Sequence, residues 1–374
     1  MPADHLDFES AVGAIAERIR IAARQGTKLA IRGGNSKEFF GNPVQGEPLD
    51  IAALRAPVLH EPSELVVTAA AATPLAELED LLEAAGQMLA FEPPHFGASA
   101  TVGGCVAAGL CGPRRLAQGY AGGPLRDHVL GAKMLDGHGN LLSFGGTVIK
   151  NVAGYDVSRL LAGSLGTLGV IVEVSLKVVP RPPHEITLVR ECGEAAALEC
   201  YAAWNREPWP VSGSAWSDGR LSLRLSGAAA ALEAARRDIG GELLAPQSAT
   251  VFWRELRDQC HRFFDLAAGE SLWRLALPFD APVLAGPLAG GGVLHEWHGM
   301  QRWIKSRAVG EAAPIALQQL ARRLGGHATR FRGGDRSSPA FAPLAPTTAA
   351  IHRRLKAEFD PQGVFNPGRL QPDL

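Results

Sequence analysis

The chain has 374 residues, 46% of them hydrophobic and 20% charged, which is enough for two domains with real cores and unlike a disordered chain. Its 37 Lys and Arg against 38 Asp and Glu leave a net charge of −1 with no long block of either sign. This excludes nucleic acid as an expected partner, because neutralising a phosphate backbone needs clustered cations.

The acidic opening MPADHLDFES has no apolar run, so neither a secretory signal nor a transit peptide is expected, and no window approaches the ~20 apolar residues of a membrane span. Cys105, Cys111, Cys192, Cys200 and Cys260 form no C-x-x-C pair and predict reduced thiols in a cytoplasmic protein, with no zinc or iron–sulfur set. Phe8, Val12, Ile15 and Ile19 recur at helical spacing and Gly26 follows, which predicts a helix over 8–25. Residues 27–31 read as a strand. The turn after it, Arg32-Gly33-Gly34-Asn35-Ser36-Lys37, offers φ > 0 positions and free backbone N–H groups, the makings of an anion nest.

A second strand is expected over 65–72, then a helix opened by Thr73 as N-cap and Pro74 in its first turn. Gly97-Ala98-Ser99-Ala100-Thr101-Val102-Gly103-Gly104 leads into an alanine-rich run, which suggests a helix whose first amides face an anion. A hairpin is expected over 130–144, and His128 and His138 read as surface or turn residues. From Lys150 a glycine-dense loop runs through Gly163, Gly166 and Gly169 into Val172, Val174, Leu176 and Val178, whose alternation with Glu173, Ser175 and Lys177 predicts a strand with one buried face. These glycines precede the strand, so the loop is neither a phosphate loop nor a dinucleotide fingerprint. Beyond Arg181, alanine-rich helices (195–204, 228–238) alternate with strand-like runs (214–225, 272–277), with a glycine cluster at 290–292.

GYD followed by GS-x-GTLG and a strand ending in LK-x-x-P, the Arg-Gly-Gly loop, TVGG before a small-residue helix, RD-x-VLG at Arg126 to Gly131, and FDP-x-G-x-FNPG at Phe359 to Gly368 together resemble the vanillyl-alcohol-oxidase-type (PCMH-type) FAD oxidoreductases. Within them the chain is most similar to the second FAD-binding (E) subunits of bacterial glycolate oxidases. The resemblance covers 27–182 and 325–374 well. It implies an α+β fold: a two-part FAD-binding domain (1–182), a smaller α+β cap (183–345) and a C-terminal segment (346–374) returning to the FAD domain. It implies FAD contacts at Arg32, Gly33, Gly34, Asn35, Ser36, Gly97, Ala98, Ser99, Thr101, Val102, Gly103, Gly104, Gly163, Gly166, Thr167, Gly169, Val170, Ile171 and Asn366. Several relatives carry a His in the first loop that bonds the flavin covalently; none stands between Ile31 and Gly41, so FAD is expected to be non-covalent.

The implied partners are a larger FAD-binding glycolate oxidase subunit and an iron–sulfur subunit. The substrate is a small 2-hydroxy acid, and the membrane is reached only peripherally, through the complex. The chain departs from the family at Ala107, Ala108 and Gly109, where an Asn is frequent, and at Leu165, where many active relatives have Glu. His295-Glu296-Trp297-His298 has the wrong spacing for a two-histidine zinc helix, so no metal is expected; Trp297 and Trp303 are read as cap core and the two histidines as solvent-facing. His327, Arg330 and Arg332 are the catalytic candidates, Arg for a carboxylate and His for the hydroxyl proton. A self-sufficient flavin oxidoreductase, or a flavin-bearing structural or electron-transfer subunit without substrate chemistry, are the alternative readings.

Overall fold

The computed structural model describes residues 3–117, 122–147, 156–284, 292–307 and 312–374. The expected Lys150 to Tyr155 segment, with the first two residues of GYD, lies outside them, as do Gly290 and Gly291. Helix α1 (Ala3–Gln25) leads through strands β1 (Leu29–Arg32), β2 (Glu47–Asp50), β3 (Leu59–Glu61) and β4 (Val66–Ala70) to α2 (Leu75–Ala84), β5 (Gln87–Met88) and α3 (Val102–Ala108). Then come β6 (Val129–Leu135), β7 (Leu141–Gly145), β8 (Val170–Lys177) and β9 (Val179–Pro180). The later half holds β10 (His184–Glu191), α4 (Glu194–Trp204), β11 (Val211–Ser217), β12 (Arg220–Gly227), α5 (Ala229–Ile239), β13 (Glu242–Leu243) and α6 (Pro246–Asp258). It continues with β14 (Ser271–Ala276), β15 (Val293–Glu296), β16 (Gln301–Ser306), α7 (Ala312–Arg323), β17 (His327–Gly333) and α8 (Pro346–Phe359).

β1 and β2 form a parallel pair, and β3-β4-β8-β6-β7 form an antiparallel sheet of five strands. α1 starts at Ala3, before the apolar period that begins at Phe8 makes it legible; Phe8, Ile15, Ile19 and Ala22 then bury one face against the five-stranded sheet. Gly26 closes it at φ 71°, where a Cβ would be strained. Thr73 is not the cap of α2: the cap is Pro74, the Leu75 N–H donates to the Ala100 carbonyl, and Thr73 is buried. β8 buries Val172, Val174 and Leu176 on one face as expected, while on the other Ile171 and Ser175 are buried and Glu173 and Lys177 are half-buried. Its Ser175 hydroxyl bonds the Thr68 hydroxyl at 2.8 Å, and Glu173 pairs with Lys133 at 2.9 Å.

The second sheet has eight strands in the order β13-β10-β12-β11-β15-β16-β14-β17. The expected single run over 214–225 is a hairpin, turned by Asp218 (φ 51°) and Gly219 (φ 80°), the two positive angles of a tight primed turn. One face of β14, β16 and β17, with Trp273, Leu275, Ile304 and Ala328, packs on Leu317 and Ala321 of α7. The opposite face, with Ala215, Leu272, Leu294, Trp303 and Phe331, shares one apolar cluster with Phe40, Ala108, Leu110 and Leu165 of the first half. A buried ionic knot adds to this seam. Arg224 of β12 forks onto Glu92 at 2.9 and 2.8 Å, and Arg114 reaches both Glu92 and Glu185.

The last segment returns to the first half. Asp360 accepts the amides of Val364 and Phe365 and the ammonium of Lys356, Leu29 N–H donates to the Val364 carbonyl, and Asn366 N–H donates back to Leu29.

Candidate functional site

Three loops and the C-terminal return meet in one cleft, lined by Gly33 to Lys37, Thr101, Gly104, Ala107, Ala108, Leu165, Asn366 and Arg369. β1 ends at Arg32 because the chain must turn there. Asn35 takes a left-handed φ of 54°, and none of the backbone N–H groups of Gly33, Gly34, Asn35 and Ser36 donates to an acceptor among the described residues. A row of amides without a protein acceptor is costly unless water or a ligand accepts from them.

The rest of the cleft is rigid. Asn366 accepts from Ile31 N–H at 2.8 Å and donates to the Leu165 carbonyl at 2.7 Å, tying the first strand to the glycine-rich loop. The guanidinium of Arg369 donates to the carbonyls of Lys37, Glu38 and Asn42, which braces the far side of the nest. Ser99 holds the Gly34 carbonyl at 2.5 Å. A Cβ on Gly34 would sit 1.4 Å from the Ser99 carbonyl oxygen, so this glycine answers to loop packing.

The α3 reading needs correction. Its first amides are spent inside the protein: Val102 N–H on the Thr73 carbonyl, Gly103 N–H on the Ala71 carbonyl and Gly104 N–H on the Thr101 hydroxyl. Gly103 is glycine because a Cβ would meet that of Ala71 at 2.7 Å, and it points away from the cleft. Thr101 and Gly104 line the cleft, whereas Val102 and Gly103 do not. Gly97, Ala98 and Ser99 form an exposed loop beside the nest. Gly163 and Gly166 shape the turn at φ 84° and 71°, Thr167 bonds back to Ser164, and Gly169, Val170 and Ile171 belong to the packing around β8. Lys37, Ala107, Ala108, Leu165 and Arg369 line the cleft beyond the contacts that the resemblance implies. Arg369 follows the FNPG run directly, and Ala107 and Ala108 follow TVGG, so both lay within reach of the motifs.

The catalytic trio is not brought together. His327 opens β17 and is exposed, and along the strand it lies roughly 16 Å from Arg332. Arg330 is opposite Trp273 and donates to the carbonyls of Ser338 and Gly333; Arg332 donates to the Phe264 carbonyl and lies over the Phe39 ring. The histidine readings change too. His295 is fully buried, with Nε2 3.0 Å from Glu194, and His298 is buried and stacked on Tyr201. Burial also claims His128 and holds both it and His298 down at about 4. His138 stays in an exposed turn.

The FAD binding domain family matches residues 10–159, the part of the chain that builds the nest and α3. Alkyldihydroxyacetonephosphate synthase superposes over 95% of this chain and 75% of its own with a TM-score of 0.66 at 14% identity, which shows the fold. The protein is thus an FAD-binding oxidoreductase of the PCMH type, and the free-amide cradle suits the pyrophosphate of that cofactor. Over 361 residues, 96% of this chain and 97% of the relative, it is 46% identical to the glycolate oxidase subunit GlcE of Escherichia coli (strain K12), and it belongs to the family of that subunit. It is also 36% identical to the glycolate oxidase subunit GlcD of Bacillus subtilis over 112 residues (29% of this chain, 23% of that protein). With a D-lactate dehydrogenase of Archaeoglobus fulgidus it shares 26% over 324 residues, 74% of this chain and 71% of the relative.

Proposed function

We propose that the chain is the flavin-carrying small subunit of a complex that oxidises glycolate, or a closely similar 2-hydroxy acid, to the 2-oxo acid. The observation that carries this is the 46% identity to a glycolate oxidase subunit over nearly the whole of both chains. A GlcD-type larger FAD-binding subunit and an iron–sulfur subunit complete the assembly. It works in the cytoplasm and meets the inner membrane only through the complex. Among the described residues no helix is long and apolar enough to cross a membrane.

The FAD domain takes 1–182, the cap 183–345 and the return segment 346–374. The nest amides of Gly33 to Ser36 receive the pyrophosphate, Thr101 and Gly104 flank it, and Asn366 and Arg369 hold the nest in shape. FAD stays non-covalent, as no His stands in the nest loop. When bound, FAD supplies the two-electron acceptor for the α-hydrogen of the hydroxy acid. The apolar seam between the two sheets adjoins the cleft at Ala108 and Leu165.

The test compares the isolated chain with the reconstituted complex. Acid precipitation should release the flavin into the supernatant. Anaerobic glycolate should bleach the flavin of the complex far faster than that of the chain alone. A chain that remains colourless with excess FAD would sink this reading, and bleaching of the isolated chain at the rate of the complex would favour a self-sufficient enzyme.

A further inference from the structure

The amides of the nest carry only partial charges, whereas each phosphate of a bound diphosphate carries a full negative one. The side chains around the nest are unequal to the task of making up the difference. Arg369 donates to the carbonyls of Lys37, Glu38 and Asn42, and Arg336, from the stretch after β17, donates to those of Glu38 and Gly41, so both are tied to the loop backbone. Arg32 is exposed at the end of β1. Glu38 is the only carboxylate among the described residues that line the cleft; its side chain is 57% exposed and lies 3.4 Å from Arg369. Lys37 is the remaining cation of the cleft lining. It is half-buried, and its ammonium donates to the Ser36 hydroxyl and to the His95 carbonyl, both at 3.2 Å, with no ion pair among the described residues.

The contacts of Lys37 place its charge without neutralising it. Ser36 is itself a nest residue, so the hydrogen bond to its hydroxyl keeps the ammonium at that end of the loop. His95 is braced from two sides: its N–H donates to the Asp258 carboxylate at the end of α6, and its Nε2 lies 2.7 Å from Glu79 of α2. Asp258 acts on the ammonium from a distance, yet its oxygens are already bonded to Arg257 and to His95. Burial lowers the Lys37 ammonium, and Cys105 and Asp258 only partly oppose this, so an anion that joined it would be favoured. We infer that Lys37 is a further cofactor-binding residue, its ammonium compensating the diphosphate of FAD at the Ser36 end of the nest. The inference rests on the flavin reading above for the identity of the anion. A half-buried ammonium beside a row of free amides is unfavourable alone and stabilising once an anion occupies the nest. Arg369 and Arg336, bonded to the loop carbonyls, add to this through their field.

FAD itself is the probe, and ionic strength separates charge from packing. The full chain, freed of its flavin, is titrated with FAD by calorimetry beside Lys37→Gln and Lys37→Arg. The rate at which flavin fluorescence appears on diluting the FAD-loaded chains makes the same comparison without stripping. Loss of a charge-assisted contact corresponds to about 10- to 100-fold weaker FAD binding in Lys37→Gln. Lys37→Arg should recover most of the affinity, since it keeps the charge. Raising the salt from about 0.02 M to about 0.5 M should close most of the gap between the native chain and Lys37→Gln, because the screening length shortens several-fold. The melting temperature of flavin-free Lys37→Gln should match or exceed that of the flavin-free native chain, which separates lost binding from lost fold. Equal FAD affinity in the native chain and Lys37→Gln at low salt would overturn the proposal, and so would a gap that high salt leaves unchanged. A native chain that takes up no FAD at any salt concentration would end the flavin reading itself, whereas native binding without a Lys37 effect ends only this inference.

Discussion

At the scale of single residues, the nest depends on side chains that hold its backbone in place. Asn366 satisfies a backbone donor of β1 and a backbone acceptor of the distant glycine-rich loop at once. Asn366→Ala should therefore strand both and cost about 2–4 kcal/mol, roughly one to two unsatisfied buried groups. Urea unfolding would show the loss as a shifted midpoint at unchanged slope. Gly34→Ala places a methyl on the Ser99 carbonyl, so the loop must swing out; we expect FAD occupancy to fall at least about tenfold while the eight-stranded sheet stays folded. Flavin absorbance per chain measures the first effect and near-ultraviolet circular dichroism the second. Gly97 is the contrasting case: open space surrounds it, and its φ of 129° alone makes it glycine.

At the scale of elements, α3 is fixed by contact with the end of β4. Gly103 lets the helix backbone lie on Ala71, and its N–H closes the contact at 2.8 Å. Gly103→Val should act as overpacking and destabilise by about 1–3 kcal/mol. Flavin loss should then follow displacement of Thr101 and Gly104, in parallel with the fall in stability. Full flavin occupancy together with a lowered melting point would show that α3 moves without disturbing the nest. The ionic knot between β12 and the loop at Glu92 is a second element-scale device. Burial alone would raise the Glu92 carboxyl, but Arg224 and Arg114 outweigh it and hold it at about 2. Glu92→Gln leaves two buried guanidinium groups short of charge and should cost about 3–5 kcal/mol, whereas Glu185→Gln, nearer the surface, should cost less than about 1 kcal/mol. Chemical denaturation of the two variants side by side checks the ranking.

For the whole molecule the same groups set a pH dependence. The folded protein holds His128 and His298 at about 4, below the unfolded value of about 6.5. Their contribution is present above the unfolded value and is lost as pH falls from about 6.5 towards 4. Glu296, raised to about 7, acts oppositely and destabilises as pH rises from its unfolded value near 4.5 towards 7. Two histidines against one carboxyl leave a net loss on acidification, and Glu92 adds to it further down, between its unfolded value and about 2. The melting temperature should therefore fall from pH 7 to pH 4.5, and fall less in His298→Phe, a comparison that calorimetry makes directly.

Local chemistry was readable in the chain itself. The nest, the amphipathic α1, the hairpin of β6 and β7 and the return of FNPG are set by glycine, by apolar periods of 3.6 and 2, and by short polar donors, all of which act over a few residues. The family resemblance rested on those same stretches. Long-range partners decided the rest. That the amides of α3 are already spent follows from Ala71 and Thr73, some thirty residues away in the chain, and the burial of His128, His295 and His298 follows from sheets and helices packed around them. His327, Arg330 and Arg332 look like a cluster on paper, but a strand spreads its residues by about 3.3 Å each and sends neighbours to opposite faces. A side chain's charge is written in the sequence, but whether that charge finds a partner depends on which distant surfaces the fold presses against it.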